Sequence, residues 1–420
     1  MRKWWGAVRR KVPPAVPGIV LGAVGALVAG VLCGLAVDPS ALAGTWGYTF
    51  GTSLLLAVGL YGSTYGIDLA ALRADLGGVV AAVTLGVVLK AALIAGVMVL
   101  AFGRPAHLVL GIAVAQIDPL SVAALDRRGR MSERARSLLM AWAAFDDPMT
   151  VLLTLYAAGY AYAAAGHRGA PAIAGGGAGG WLTGLAMNAA LLAGVVLLWW
   201  AWRRAAPALV SVPPFRRAGE VAAGLLVVLM LVLAAVGTLM LAVAVAGLVV
   251  RRRVFAKTLG RAVATAFLAA SLVLGLFLAQ GVALWPGLLL GATAFGAQAL
   301  VALCVMPLFV RGLERRDRIV LGLGQQNGIT AVLIALALEH DFPGTVAIVG
   351  PAVVTVNLLH ATGQSLLARG AGPPGTRGEP RADQERHSSC DGPSDTDPRA
   401  AAPDPLGEAP GQESSGRAAA

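Results

Sequence analysis

Charge is what this chain has least of. Asp, Glu, Lys and Arg make up 13% of its 420 residues, against 57% hydrophobic residues, where a water-soluble chain carries roughly a quarter. That scarcity excludes a soluble globular protein and leaves a polytopic membrane protein. Cysteine is also scarce: Cys33, Cys304 and Cys390 are the only three, too scattered for a disulfide framework or a zinc site. Acidic residues number 22 against 33 Lys and Arg, for a net charge of +11. Such an excess invites a nucleic-acid partner, but the basic residues fall in short clusters between apolar runs, as membrane topology requires. Nucleic acid is therefore not a partner of this reading; the lipid bilayer is. The glycines of 175–180 are followed by no Lys-Ser/Thr, so they read as an external loop and not as a phosphate cradle. No cofactor is implied.

Apolar runs of about twenty residues cross a bilayer as helices, and twelve are present. They lie at 15–37, 45–63, 78–103, 107–125, 138–164, 181–202, 219–235, 237–250, 262–280, 285–310, 319–338 and 343–368. The stretch 219–250 is divided at Gly237 because the charge pattern demands an even count there. One side of the membrane receives nearly all the Lys and Arg before the tail, from Arg2 and Lys3 through Arg127, Arg128 and Arg130 to Arg315, Arg316 and Arg318. The other side holds only Arg104 and Arg168. The positive-inside rule places both termini in the cytoplasm, in a multi-pass protein of the cell membrane. The first span precedes Ala41-Leu42-Ala43, a possible cleavage site, but its apolar run is longer than a usual signal peptide and it reads as a retained span. Residues 1–14 form a basic cytoplasmic N-terminus and 15–368 the transmembrane domain. Residues 369–420, rich in Pro, Gly, Ser and charge, cannot bury a core and read as a disordered cytoplasmic tail.

Few ionisable residues lie well inside the spans: Lys90, Asp118, Asp146, Asp147 and His360. Asp146 and Asp147 are adjacent within the apolar run Leu138–Leu153, and one carboxylate at that depth already costs at least a few kcal/mol. Two side by side need a counter-charge, and a pair retained at such expense handles protons or cations. Successive helix residues point about 100° apart, so the expected division is one accessible, ion-exchanging carboxylate and one interior carboxylate held by a donor. Lys90 is the expected counter-ion. His360 reads as a helix-packing hydrogen bonder.

Proline and glycine mark two interruptions. Pro119, after Asp118, lacks an N–H and frees carbonyls around residues 114–116, giving Asp118 oxygen neighbours suited to a small hard cation. Gly322-Leu323-Gly324-Gln325-Gln326-Asn327-Gly328-Ile329-Thr330 is a poor continuous helix, and reads as an unwound crossing lined by carboxamides. Irregular backbone at membrane depth is tolerated only where it lines a cavity or protein interior. Two interrupted spans in corresponding positions point to inverted repeats with a site near the midplane.

These residues together resemble the cation/proton antiporter superfamily. The resemblance rests on Gln116-Ile117-Asp118-Pro119-Leu120-Ser121, then Glu133 and Arg134, then Phe145-Asp146-Asp147. It is extended by Gly66-Ile67-Asp68-Leu69, by Leu239–Leu248 and by Gly324–Leu338, and covers about residues 15–368. The fold it implies is an all-α polytopic membrane protein with about twelve transmembrane helices, inverted repeats and two broken crossing helices. Core helices of about 78–164 and 285–368 would move like an elevator against a scaffold of the remaining helices, in a homodimer. Carried over by position, Asp147 is the aspartate that exchanges a cation for a proton. Asp146 is the neighbouring position, Asp in many electrogenic members, and Asp118 is the aspartate of the broken helix. The chain departs from the pattern at Ile117, where the family has threonine, so Gln116 or Ser121 would substitute for the hydroxyl. Span 285–310 carries no basic residue, which leaves Asp146 without the family's partner unless Lys90 supplies it.

The function so implied is a secondary antiporter, not an enzyme, exchanging a monovalent cation (Na⁺ before K⁺ or Li⁺) for protons. Asp147, Asp146 and Asp118 are its ion- and proton-binding residues, Asp147 and Asp118 the cation ligands. Gln116, Ser121, Lys90, Gln325, Gln326 and Asn327 support them. Two alternatives stand beside it. Gly324–Gly328 is similar to the Gln-Asn crossing of bile-acid-type carriers, which implies a sodium-coupled organic-anion symporter. A non-transporting sensor on the antiporter fold is the other. Intramembrane aspartyl proteolysis lacks its Tyr-Asp and Gly-x-Gly-Asp contexts.

Overall fold

Interrupted helices decide the architecture. The computed structural model describes residues 15–65, 76–118, 131–174, 180–209, 213–251, 255–310 and 312–370, and no strand occurs among them. Ser121, the Gly66–Arg73 segment, the N-terminus 1–14 and the tail from 371 lie outside the described residues. In chain order the helices are α1 (Ala15–Gly34), α2 (Pro39–Ala43), α3 (Trp46–Tyr65), α4 (Leu76–Ala81), α5 (Val87–Phe102) and α6 (His107–Ala113). Then come α7 (Glu133–Ala164), α8 (Gly180–Leu209), α9 (Pro213–Gly237), α10 (Met240–Val249) and α11 (Phe255–Leu278). The last are α12 (Leu284–Leu300), α13 (Met306–Phe309), α14 (Arg315–Gly322), α15 (Ile329–Glu339) and α16 (Thr345–Gly370).

Each of the twelve apolar runs meets a helix, and 7 stretches are long and apolar enough to cross a membrane outright. Leu21–Gly34, Met240–Val249 and Ile329–Glu339 are shorter apolar helices. The division at Gly237 is real: Thr238 takes a positive φ of 52°, its hydroxyl donates to the Gly237 carbonyl, and α10 starts two residues later. Left-handed backbone is costly for a β-branched residue, so the break is held by its surroundings.

Two triplets share one design. In the first, α4 and α5 join through a π turn at Ala82–Gly86, α6 breaks off early, and α7 carries Pro148 within it. In the second, α12 and α13 join through a π turn at Val301–Val305, α14 and α15 are separated by an irregular crossing, and α16 carries Pro351. A rod with a π turn, a broken helix and a proline-bearing helix thus recur in the same order. Within the triplets α5 packs on α6, α6 on α7, and α12 on α16, while α5 and α12 touch across the two. Gly111 permits the close approach of α6 to α5, because a Cβ there would collide with the backbone of Ala95.

The other helices pack around α3, which contacts α9, α10, α11 and α15. Apolar packing is weakly directional in lipid, so polar pins matter. The Tyr61 hydroxyl donates to the Val250 carbonyl at 2.7 Å, the Tyr48 hydroxyl to Leu336 at 2.7 Å, and Arg251 Nη2 to Thr64 at 2.9 Å. Lipid-exposed Leu and Val line the outer faces of α1 and α9.

Candidate cation and proton site

The site forms where the two interruptions meet. α6 stops at Ala113 and residues 115–118 have no regular secondary structure; α14 stops at Gly322 and 325–328 are likewise irregular before α15 begins. The Asp118 N–H donates to the Gln326 carbonyl at 2.9 Å, joining the two crossings. Helix ends leave backbone groups without intrahelical partners, and the carboxamides take them up. Gln325 Nε2 donates to the carbonyls of Val114 (3.2 Å) and Gln116 (2.9 Å), and Asn327 Nδ2 to Val114 (2.9 Å). Gln116 Nε2 donates to Ala113 at 3.1 Å. The freed carbonyls, expected as cation ligands, are therefore largely occupied by side-chain amides of the opposite crossing.

What the amides leave over are acceptors. Oε1 of Gln116, Gln298, Gln325 and Gln326 and Oδ1 of Asp146 are buried with no hydrogen-bond partner among the described residues. In Gln116, Gln298 and Gln325 the amide nitrogen donates to a backbone carbonyl, which turns the bare oxygen the other way. Buried polar oxygens without donors are rare in proteins. Their concentration at the crossing makes an environment that favours cations over anions.

The aspartate pair sits beside the crossing on α7, immediately before Pro148. Asp146 and Asp147 are 0% and 1% exposed. Asp146 Oδ2 accepts from Lys90 Nζ at 2.8 Å and from the Ile117 N–H at 2.8 Å. Lys90, itself fully buried on α5, also lies 5.5 Å from the ring centroid of Trp142. Asp147 Oδ2 accepts from the Thr330 hydroxyl at 3.2 Å; the Ser63 hydroxyl of α3, which donates to the Leu60 carbonyl at 3.0 Å, lies near the same carboxylate. Asp118 and Asp146 are its charged neighbours. The Asp118 carboxyl packs on Gly328: a Cβ there would lie 2.6 Å from Asp118 Cγ. Gly328 is the residue before α15, so Asp118 faces the positive end of that helix.

One expectation needs correcting. Asp147 is not the accessible member of the pair: it is 1% exposed, and Thr330 of α15 bonds it. Ser63 and the Ile117 N–H were not singled out in the sequence. A Ser63-Thr64 hydroxyl pair late in an apolar span is the signal that pointed to the former; a backbone N–H leaves no signal. His360 Nδ1 lies 2.6 Å from the Leu323 carbonyl, and Asn357 exchanges two bonds with the Asn327 backbone (3.2 and 3.0 Å), so α16 braces the second crossing. Among the described residues no three His, Cys, Asp or Glu side chains come together as a metal cage.

A family model described as the transmembrane sodium/hydrogen exchanger matches residues 11–366. The chain belongs to that family. The exchanger is also similar in fold to the solved sodium proton antiporter MjNhaP1 of Methanocaldococcus jannaschii, with a TM-score of 0.53 at 16% identity, covering 85% of this chain and 97% of that one. No curated protein sequence matches it. The exchanger is thus a multi-pass membrane protein of the cation/proton antiporter superfamily, a transporter whose family exchanges monovalent cations and protons.

Proposed function

We propose that this exchanger swaps Na⁺ for protons by competition at Asp147. The observation that carries the reading is the division of the pair. Asp146 is bound by an ammonium and a backbone N–H, whereas the hydrogen bond to Asp147 comes from the neutral hydroxyl of Thr330. A carboxylate held by neutral donors takes up either a proton or a hard cation, and either one cancels its charge for transit. The two compete because they need the same oxygens. Asp118 would share the cation with Asp147, while Gln116, Ser121, Gln325, Gln326 and Asn327 shape the oxygen-rich crossing around it. Asp146 and Lys90 set the electrostatics beside it.

The wider reading follows the same line. Both termini lie in the cytoplasm and the protein works in the cell membrane as a homodimer. Helices of about 78–164 and 285–368 form a core that moves against the rest, and 369–420 is a cytoplasmic tail. In everted vesicles, Asp147→Asn is expected to abolish cation-dependent dissipation of a pH gradient, with some exchange retained in Asp147→Glu. Exchange that survives in the Asn variant overturns the assignment.

A further inference from the structure

Lys90 is buried completely, the only Lys or Arg so placed among the residues whose burial is described. Resting on the reading of Asp147 above, we infer that Lys90 and Asp146 form a fixed counter-ion pair that keeps its one proton throughout the cycle, so that Asp147 alone titrates and one cation exchanges for one proton.

The geometry closes this pair off. Asp146 Oδ2 is held at 2.8 Å by Lys90 Nζ and at 2.8 Å by the Ile117 N–H. Trp142 covers the ammonium from one turn earlier on α7, and its ring in turn packs on Gly86, one turn before Lys90, where an added Cβ would come within 3.0 Å. Every partner belongs to one triplet: Lys90 to α5, Ile117 to the break after α6, Trp142 and Asp146 to α7. The pair therefore keeps its partners however that triplet moves against the rest of the molecule.

Charge accounting gives the stoichiometry. Whether the shared proton rests on nitrogen or oxygen, the pair holds one proton and no net charge. Asp118, held against Gly328 at the positive end of α15, keeps one charge state throughout, while Asp147 is neutral with a bound cation and neutral with a bound proton. Removing the pair's proton would strand a buried carboxylate beside Asp147, a neighbour of its own sign, and breaking a buried pair is strongly unfavourable. The loaded site then carries the same charge in both directions, and no net charge crosses the membrane. Lys90 acts here as a positioning residue, through Asp146.

The test uses the full-length protein in proteoliposomes, with Na⁺ as the cation and opposed Na⁺ and proton gradients. Exchange is expected to halt where the Na⁺ gradient equals the proton gradient, and the halting point is expected to stay put when a membrane potential is imposed. The apparent KM for Na⁺ should rise with the first power of proton concentration. Lys90→Met alone is expected to slow exchange by roughly a hundredfold or more, because it leaves Asp146 charged and unpaired. Lys90→Met with Asp146→Asn should recover exchange relative to that single variant, with the parent's halting point. A parent halting point that moves with potential, together with a double variant whose point does not, overturns the fixed pair while leaving Asp147 as the exchanging group. Absence of Na⁺-driven exchange in the parent protein overturns both.

Discussion

A carboxylate at membrane depth has to be neutralised or to face a polar cavity, and adjacent residues of the exchanger meet that demand differently. Asp146 is satisfied by partners on its own triplet. Asp147 takes a hydroxyl from α15, and Ser63 of α3 lies near it. If Asp147 carries the cation, Thr330 is one of the groups that orient it. Thr330→Val removes a hydrogen bond to a charged group, worth about 1.5–3 kcal/mol. The expected result is an apparent KM for Na⁺ raised on the order of tenfold or more, with folding intact by size-exclusion chromatography. An unchanged KM would detach Thr330 from the site. At Gly328 the argument is steric: its missing side chain is the space Asp118 occupies. Gly328→Ala is expected to displace Asp118 at a cost of about 1–3 kcal/mol, typical of overpacking. Transport measured alongside thermal stability should show exchange falling by more than stability does.

At the scale of elements, the breaks and their supports belong together. A helix that stops inside the membrane exposes carbonyls or N–H groups that nothing in lipid can satisfy. α6 solves this with carboxamides borrowed from the second crossing, and the second crossing is braced by Asn357 and His360 of α16. The ends of α7 and α14 are tied as well. Ser132, the N-cap of α7, donates from its hydroxyl and its N–H to Asp317 at 2.6 and 3.0 Å. Beyond α15, Asp341 accepts backbone N–H groups of Ala172 and Ile173, fastening the 3₁₀ turn Ala172–Ala174 to the loop before α16. Burial pushes the Asp341 carboxyl above its ordinary value, outweighing those bonds and the nearby His340 and His167. A carboxyl whose folded-state value lies above its unfolded one contributes stability below the ordinary aspartate range and loses it as pH rises through the raised value. The thermal midpoint of the detergent-solubilised protein is therefore expected to fall over that window. Asp341→Asn should flatten that part of the profile, and an identical slope in the variant would contradict the assignment.

The whole molecule is framed by its charge pattern, which leaves one side of the membrane nearly free of basic residues. The proposal that both termini are cytoplasmic makes Cys390 of the tail a topology marker once Cys33 and Cys304, both exposed, are changed to serine. A membrane-impermeant maleimide is expected to label Cys390 in everted vesicles and not in intact cells; the reverse pattern would invert the topology.

Lipid made much of this fold legible before any coordinates. A bilayer admits few structures, so apolar runs of the right length had to be helices. Pro119 and the Gly322–Gly328 glycines had to interrupt them, and Asp118, Asp146 and Asp147 stood out because acidic residues are so costly there. The break at Gly237 followed from charge balance alone. Partnership was another matter. Lys90 is 56 residues from Asp146, and Thr330 is 183 from Asp147. Whether such side chains meet depends on the rotation and depth of each helix, which hydrophobic patterning barely constrains when lipid surrounds the bundle. By itself the sequence determined the class of molecule, its crossings, its breaks and the acidic residues at issue. Tertiary structure alone decided that Lys90 meets Asp146 and not Asp147, that the Ile117 N–H joins it there, and that Thr330 bonds Asp147. Those contacts are set by packing between segments far apart in the chain, and no local rule reaches that far.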